Sequence, residues 1–415
     1  MRFTWLILAL CFGTALTFGQ APKAEKFANK ADQEFNKGNI GKSIVLYDKA
    51  IALDSLNKDY YYYRGLALKA SGNFISAAND YETFLLARSV HPTAYYELAH
   101  IYLNNGQDYQ ALTTINHHIK QNGADYTSLR LKAEALLLND AFEEADLTID
   151  QALEKNKQDE NAFILRAHIA LNKNDFHAAK RDLTDTKTLF GSSQHLNIME
   201  GYYLLKTGKI DKAIRKIKMS IYPKHQPFDA KAYHFLSNAY HAAGKLDSAI
   251  WAADQAIERL ENANYFFDRG CYKAENGDRD GGASDFSTAI QIDRYSVGAY
   301  NNRTFYVWFP TEQYSKAVED LSKIILIDST NAFAYNNRSY AYFKLANFEQ
   351  AFIDAFKSVE LEDKNPYVYK NLALMYHAIQ EDEEAKEMAS GALKLNYPVE
   401  TDLEFKALLQ KLGLL

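Results

Sequence analysis

The apolar positions of this chain fall into short amphipathic segments separated by polar turns. In Asn331–Lys364, Ser339 and Tyr342 lie on one side of a first segment. In the second segment Ala351, Ala355 and Ser358 recur at i, i+4 and i+7, one face of an α-helix. The pattern predicts two helices folded into a hairpin, with the small residues marking where they cross.

The same hairpin recurs along almost the whole chain. In the second helices Ser43, Ala77, Ala111, Ala145, Ala179 and Ala213 are spaced by 34 residues. Ala249, Gly282 and Ala317 follow after 36, 33 and 35, and Ala351 and Ala385 return to 34. A parallel series runs through the first helices: Ala31, Gly65, Ala99, Ala133, Ala167, Gly201, Ser237, Gly270, Thr304, Ser339 and Ala373. A crossing point needs a small residue, because a larger one pushes the axes apart. Four positions after the small residue of the second helix stands a large one, as in Tyr47, Tyr81, Ile115, Ile149, Leu183, Ile217, Phe286 and Leu321.

The turn residues agree. Gly38, Gly72, Gly106, Gly208, Gly244 and Gly277 sit where the first helix should end in a left-handed residue. Asn174 can replace glycine there, whereas Asp140, Ala346 and Gln380 are poorer choices. Pro92 and Pro366 open first helices, Pro310 falls in a turn beside a one-residue insertion, and Pro398 precedes the last segment. Pro223 and Pro227 fall where the spacing widens, a stretch read as a local kink.

This unit resembles the tetratricopeptide repeat (TPR), a 34-residue helix–turn–helix module. The resemblance covers residues 24–397 and implies an all-α, right-handed α-solenoid of about eleven hairpins. Units one to six would occupy 24–229, units seven to eleven 230–397, and a capping helix and tail 398–415. In that last helix Leu403, Ala407 and Leu408 are expected to lie on unit eleven, with Glu404, Lys406 and Gln410 toward water.

The first residues read differently. Arg2, the apolar run Phe3–Phe12 and the small residues Thr17 and Gly19 form a secretory signal over 1–19, leaving a mature tail at 20–23. The run is short for a membrane anchor, and Leu10 before Cys11 argues against lipid modification. The FGQ ending is similar to export signals of the Bacteroidetes. Export to the periplasm, or association with the outer membrane, is therefore expected. Removing the signal leaves Cys271 alone, which excludes an internal disulfide and predicts a packed thiol. The net charge of −6 offers no electrostatic footprint for nucleic acid.

In TPR proteins the first helices line a groove. By register, the resemblance implies a peptide-binding face made of Tyr62, Tyr96, His100, Arg130, Glu134, His168, Tyr202, His234, Asn238, His241, Asn301, Asn336, Tyr340 and Lys370. Rings can cover a peptide's side chains while amides bond its backbone. The runs Asn301–Arg303 and Asn336–Arg338 suggest a clamp for carboxylates, but the register turns Arg303 and Arg338 one step off the face and no paired cations follow. Adjacent His117 and His118 diverge on a helix, and Asp278–Gly282 has its glycine too early for a calcium loop. The glycosylation sequons at Asn302 and Asn337 lie mid-helix. No nucleophile elbow or phosphate loop occurs, and no cofactor or metal is expected. The expected role is a non-enzymatic scaffold for protein or peptide partners in the cell envelope. A self-associating envelope component is the alternative, and a regulatory subunit of an enzyme the weaker third reading.

Overall fold

The computed structural model describes residues 21–87, 91–221 and 228–415. The signal segment 1–19 and the stretch holding Pro223 and Pro227 lie outside the described residues. The chain divides at Tyr222/Pro223 into two compact halves, each an array of paired helices.

The N-terminal half runs α1 (residues 21–36), α2 (Ile40–Leu53), α3 (Asp59–Ala70), α4 (Phe74–Leu85), α5 (Pro92–Asn105) and α6 (Asp108–Asn122), then α7 (Tyr126–Leu138), α8 (Phe142–Lys155), α9 (Glu160–Asn172), α10 (Phe176–Phe190), α11 (Gln194–Lys206) and α12 (Ile210–Ser220). The tail read for 20–23 is already helical at 21, with Pro22 in the first described turn. The C-terminal half holds α13 (Phe228–Ala242), α14 (Leu246–Arg259), α15 (Ala263–Glu275), α16 (Arg279–Ile292), α17 (Val297–Arg303) and α18 (Tyr314–Ile327). It ends with α19 (Ala332–Lys344), α20 (Phe348–Leu361), α21 (Pro366–Ala378), α22 (Asp382–Lys394) and α23 (Leu403–Lys411). The fold is all-α, in consecutive packed pairs that match a solenoid of about eleven hairpins.

Each pair closes on the small residues that the spacing singles out. A Cβ added to Gly201 would stand 2.5 Å from Ile217 Cγ1, and one added to Gly270 2.8 Å from Phe286. The small residue of the first helix thus seats the large residue sixteen positions later on the second. Tyr47, Tyr81, Ile115, Ile149, Ile217 and Phe286 are all fully buried there. Neighbouring pairs then merge into continuous cores, such as the one joining Tyr81, Tyr95, Ile101, Ile115 and Leu131.

The turns follow one geometry whatever residue fills them. Gly38, Gly72, Gly106, Gly208, Gly244 and Gly277 all have positive φ, and so do Asp140, Asn174, Ala346 and Gln380. At Ala346 (φ 57°) the Asn347 amide donates to the Tyr342 carbonyl at 2.9 Å, the same closing bond that Asn39 makes to Glu34 in the first unit. A left-handed alanine costs roughly 1 kcal/mol, which the neighbouring packing must offset.

Unit nine departs from the rule. Its inserted residue is absorbed as a π-helical turn, Thr304–Trp308, in which the Phe309 amide donates to the Thr304 carbonyl at 2.9 Å. Trp308 is thereby placed to donate its Nε1–H to Asp320 at 2.7 Å.

The last helix corrects the sequence reading. α23 buries Phe405, Leu408 and Leu409, while Leu403 and Ala407 are exposed. Phe405 is larger than Leu403 and takes the core position, which rotates the helix. Glu404 is exposed, as expected, and pairs with Lys344.

Candidate functional site: the first-helix face

Successive first helices are tied to one another by polar side chains. In the N-terminal half the Tyr96 hydroxyl donates to Asp125 and lies 3.1 Å from His118 Nε2. Asp125 is also the N-cap of α7, accepting the Ser128 amide at 2.8 Å, so Tyr96 joins the start of the next first helix. Tyr202 donates to Asn172 at 3.1 Å and meets the His168 ring edge-on. Arg130 and Glu134 form an i, i+4 pair at 3.7 Å. Burial lowers the pKa of the His100 imidazole, and nearby Arg130 lowers it further, so His100 is neutral at pH 7. Tyr62 turns inward, its ring against Phe84 and His91 at 5.1 and 4.8 Å, and serves packing more than exposure.

In the C-terminal half the ties repeat with the period of the fold. His234 bonds Asp268 and His241 bonds Glu275, each at 2.7 Å and each 34 residues apart. Between them Tyr272 donates to Asn238. The next interval is spanned by Asn302, whose Nδ2 donates to Cys271 Sγ at 3.2 Å, and burial pushes the thiol pKa up to about 12. Asn301 is half-buried beside it. Asn336 and Lys370 are not on an open groove: they are 4% and 9% exposed. Asn336 accepts from Asn371 at 2.9 Å, and Lys370 sits 4.8 Å over the Tyr340 ring. Asp402, the N-cap of α23, lies 3.6 Å from Lys370 at this end of the face, a contact that hairpin register alone does not show.

Two features escape the groove register. Phe305, on the π-helical turn, is 62% exposed and occupies the same repeat position as Tyr340, so the spacing already carried that signal. The second is a set of arginines one step off the face. Arg64, Arg166, Arg269, Arg303 and Arg338 each grip an aspartate of their own second helix with Nε and Nη2. Nη1 of each reaches back to the preceding second helix, at Asp48, Asp150, Asp254, Ser287 and Ser322. Unit six reverses the signs, with Glu200 on the first helix and Lys216 on the second, 2.5 Å apart. An Arg–Asp spacing of sixteen, widened to seventeen by the inserted residue of unit nine, is legible in the sequence. Its consequence is that Arg303 and Arg338 brace the hairpins and are unavailable to a clamp.

The remaining motifs have structural employment. Asp278 of the glycine-rich turn caps α16 by accepting the Gly281 amide at 2.9 Å. His118 is buried, 3.1 Å from the Asn122 amide nitrogen. Among the described residues no group of three or more His, Cys, Asp or Glu could hold a metal ion, and no helix is long and apolar enough to cross a membrane.

Residues 64–116 match the family model of the tetratricopeptide repeat. The Cut9 and Hcn1 hetero-tetramer of the APC/C contains a chain that superposes with a TM-score of 0.51 at 12% identity, covering 95% of this chain and 98% of that one. The chain has a tetratricopeptide-repeat fold. Yeast Tom70 aligns over 94% of this chain and 96% of its own at 14% identity and a TM-score of 0.42. A tetratricopeptide repeat protein from Parabacteroides merdae aligns over 60% of this chain and 98% of its own, at 17% identity and a TM-score of 0.40. Among curated proteins no sequence matches.

Proposed function

We propose that this chain is a non-enzymatic scaffold that binds peptide segments of partner proteins along its first-helix face. The observation that carries the reading is the division of labour between side chains. The hairpin interiors and the arginine braces hold the fold, while His100, Arg130, Glu134, Asn301 and Phe305 stand on the first helices outside the fully buried core. A solenoid buries each unit only against its neighbours, so such a face stays available along its length. Polar side chains and rings in alternation suit an extended peptide, whose amides need partners and whose side chains need cover. Arg2 and the apolar run Phe3–Phe12 support export, which would place this scaffold in the cell envelope.

The test uses the purified full chain as bait for envelope proteins, beside Arg130→Ala and Phe305→Ala. Both substitutions lie outside the buried core and should leave the melting temperature nearly unchanged. Loss of captured partners in either variant supports the reading. Undiminished capture by both variants overturns the first-helix assignment.

A further inference from the structure

Asn336, Lys370 and Glu404 are spaced by 34 residues, so Glu404 of α23 continues the row of the first-helix face. Its carboxylate accepts from Lys344 Nζ at 2.9 and 3.1 Å, across 60 residues of chain. Lys344 Nζ lies 5.4 Å from the Tyr340 ring centre and Lys370 Nζ 4.8 Å from it. Two ammonium groups thus share one ring, and the chain supplies a carboxylate to the more exposed of them.

We propose that Lys344 and Tyr340, with the buried Lys370 adding its positive charge beside the ring, form a seat for an acidic side chain of a partner segment, and that Glu404 occupies this seat in the free protein. The proposal rests on the peptide-binding reading above and gives its partner a chemistry. Three observations favour it. Lys370 is 9% exposed, yet its nearest carboxylate, Asp402, is 3.6 Å away. Asp402 is committed elsewhere, accepting the Phe405 amide at 2.9 Å and the Tyr397 hydroxyl at 2.7 Å. The buried ammonium thus rests on a long contact to a shared carboxylate, and burial holds its pKa below that of ordinary lysine.

Glu404 is also free to leave. Its side chain is 45% exposed, and Lys344 is its only hydrogen-bond partner among the described residues. The helix itself stays anchored by Phe405, Leu408 and Leu409, so the carboxylate can rotate to solvent without α23 unpacking. The resident group is a side-chain carboxylate, which favours an internal Asp or Glu of the partner over a chain terminus. An incoming carboxylate must displace a tethered competitor, so removing that competitor should tighten binding.

The test measures binding of a fluorescent hexaglutamate peptide, acetylated and amidated, to the full chain, with a free-acid version and a hexalysine peptide as further arms. Glu404→Gln should bind the amidated glutamate peptide about three- to tenfold more tightly than the parent chain, as expected for loss of a weak exposed pair. Lys344→Gln should remove that gain when added to Glu404→Gln, and added salt should weaken all specific binding. Equal affinity of the parent chain and Glu404→Gln would overturn the seat, as would equal binding of hexalysine. A preference of more than tenfold for the free acid would overturn the internal-residue assignment in favour of a chain end. If Glu404→Gln gains nothing while partner capture still depends on Arg130 and Phe305, the seat falls and the broader peptide-binding reading stands.

Discussion

Arg338 donates to both carboxylate oxygens of Asp354, at 2.7 and 2.9 Å, and its third donor reaches Ser322 at 3.0 Å. One guanidinium thereby joins the two helices of unit ten to the second helix of unit nine. The Asp354 carboxylate holds the Arg338 pKa above its ordinary value. The brace recurs in five units, so it sets the register of the hairpins and not merely one contact.

Asp354→Ala should therefore destabilise the C-terminal half by about 3 kcal/mol, because it strands a largely buried cation. Arg338→Leu with Asp354→Leu should cost much less, since no charge is left unpaired. Chemical denaturation of the three chains measures both. A single-mutant loss no larger than the double-mutant loss would show that the pair does not act as a unit.

Close approach at Gly201 gives a second expectation. Gly201→Ala places a methyl 2.5 Å from Ile217 Cγ1 and should cost about 1–3 kcal/mol. Ile217→Ala alone should cost about 2–5 kcal/mol, but the double variant should lose less than the sum, since the new methyl enters the new cavity. Full additivity in a denaturation cycle would contradict the contact.

Glu34 gives the fold a pH dependence of known sign. Its carboxylate accepts from Asn39 at 2.8 Å and from Lys42 and Lys37 at 3.1 and 3.2 Å, and these bonds lower its pKa to about 2. A lowered carboxylate pKa stabilises the fold above the ordinary value of 4.5, and that contribution is lost as pH falls toward about 2. The gap in stability between the parent chain and Glu34→Gln should be full above pH 4.5 and close by about pH 2. A gap that is constant across this range would remove Glu34 from the account.

Cys271 should be nearly inert in the native chain. With its thiol pushed to about 12, little thiolate exists at pH 8. In a Cys11→Ser background, alkylation should accelerate on the order of a thousand-fold on unfolding, from the change in thiolate fraction alone. Rapid native-state labelling would show that the packing around Asn302 opens readily.

The amino-acid sequence by itself determined the hairpin, its period and its turns. Small residues at fixed phase are a local steric demand, and a repeat multiplies that demand until it is legible. The glycines and prolines added a backbone signal that does not depend on neighbours. The arginine braces were legible too, because Arg and Asp keep a spacing of sixteen, or seventeen across the insertion of unit nine, but their meaning needed the helices laid side by side. The tertiary structure alone decided which polar residues of the first helices remain uncovered. Asn336 and Lys370 share the phase of Tyr96 and His234, yet Asn336 is buried against Asn371 of the next first helix, and Lys370 is buried beside Asp402, the N-cap of α23. That helix turned Phe405, not Leu403, into the core, since burial is set by competition among all faces of a helix and not by periodicity alone. The pairing of Lys344 with Glu404 spans 60 residues, and only folding brings such positions together.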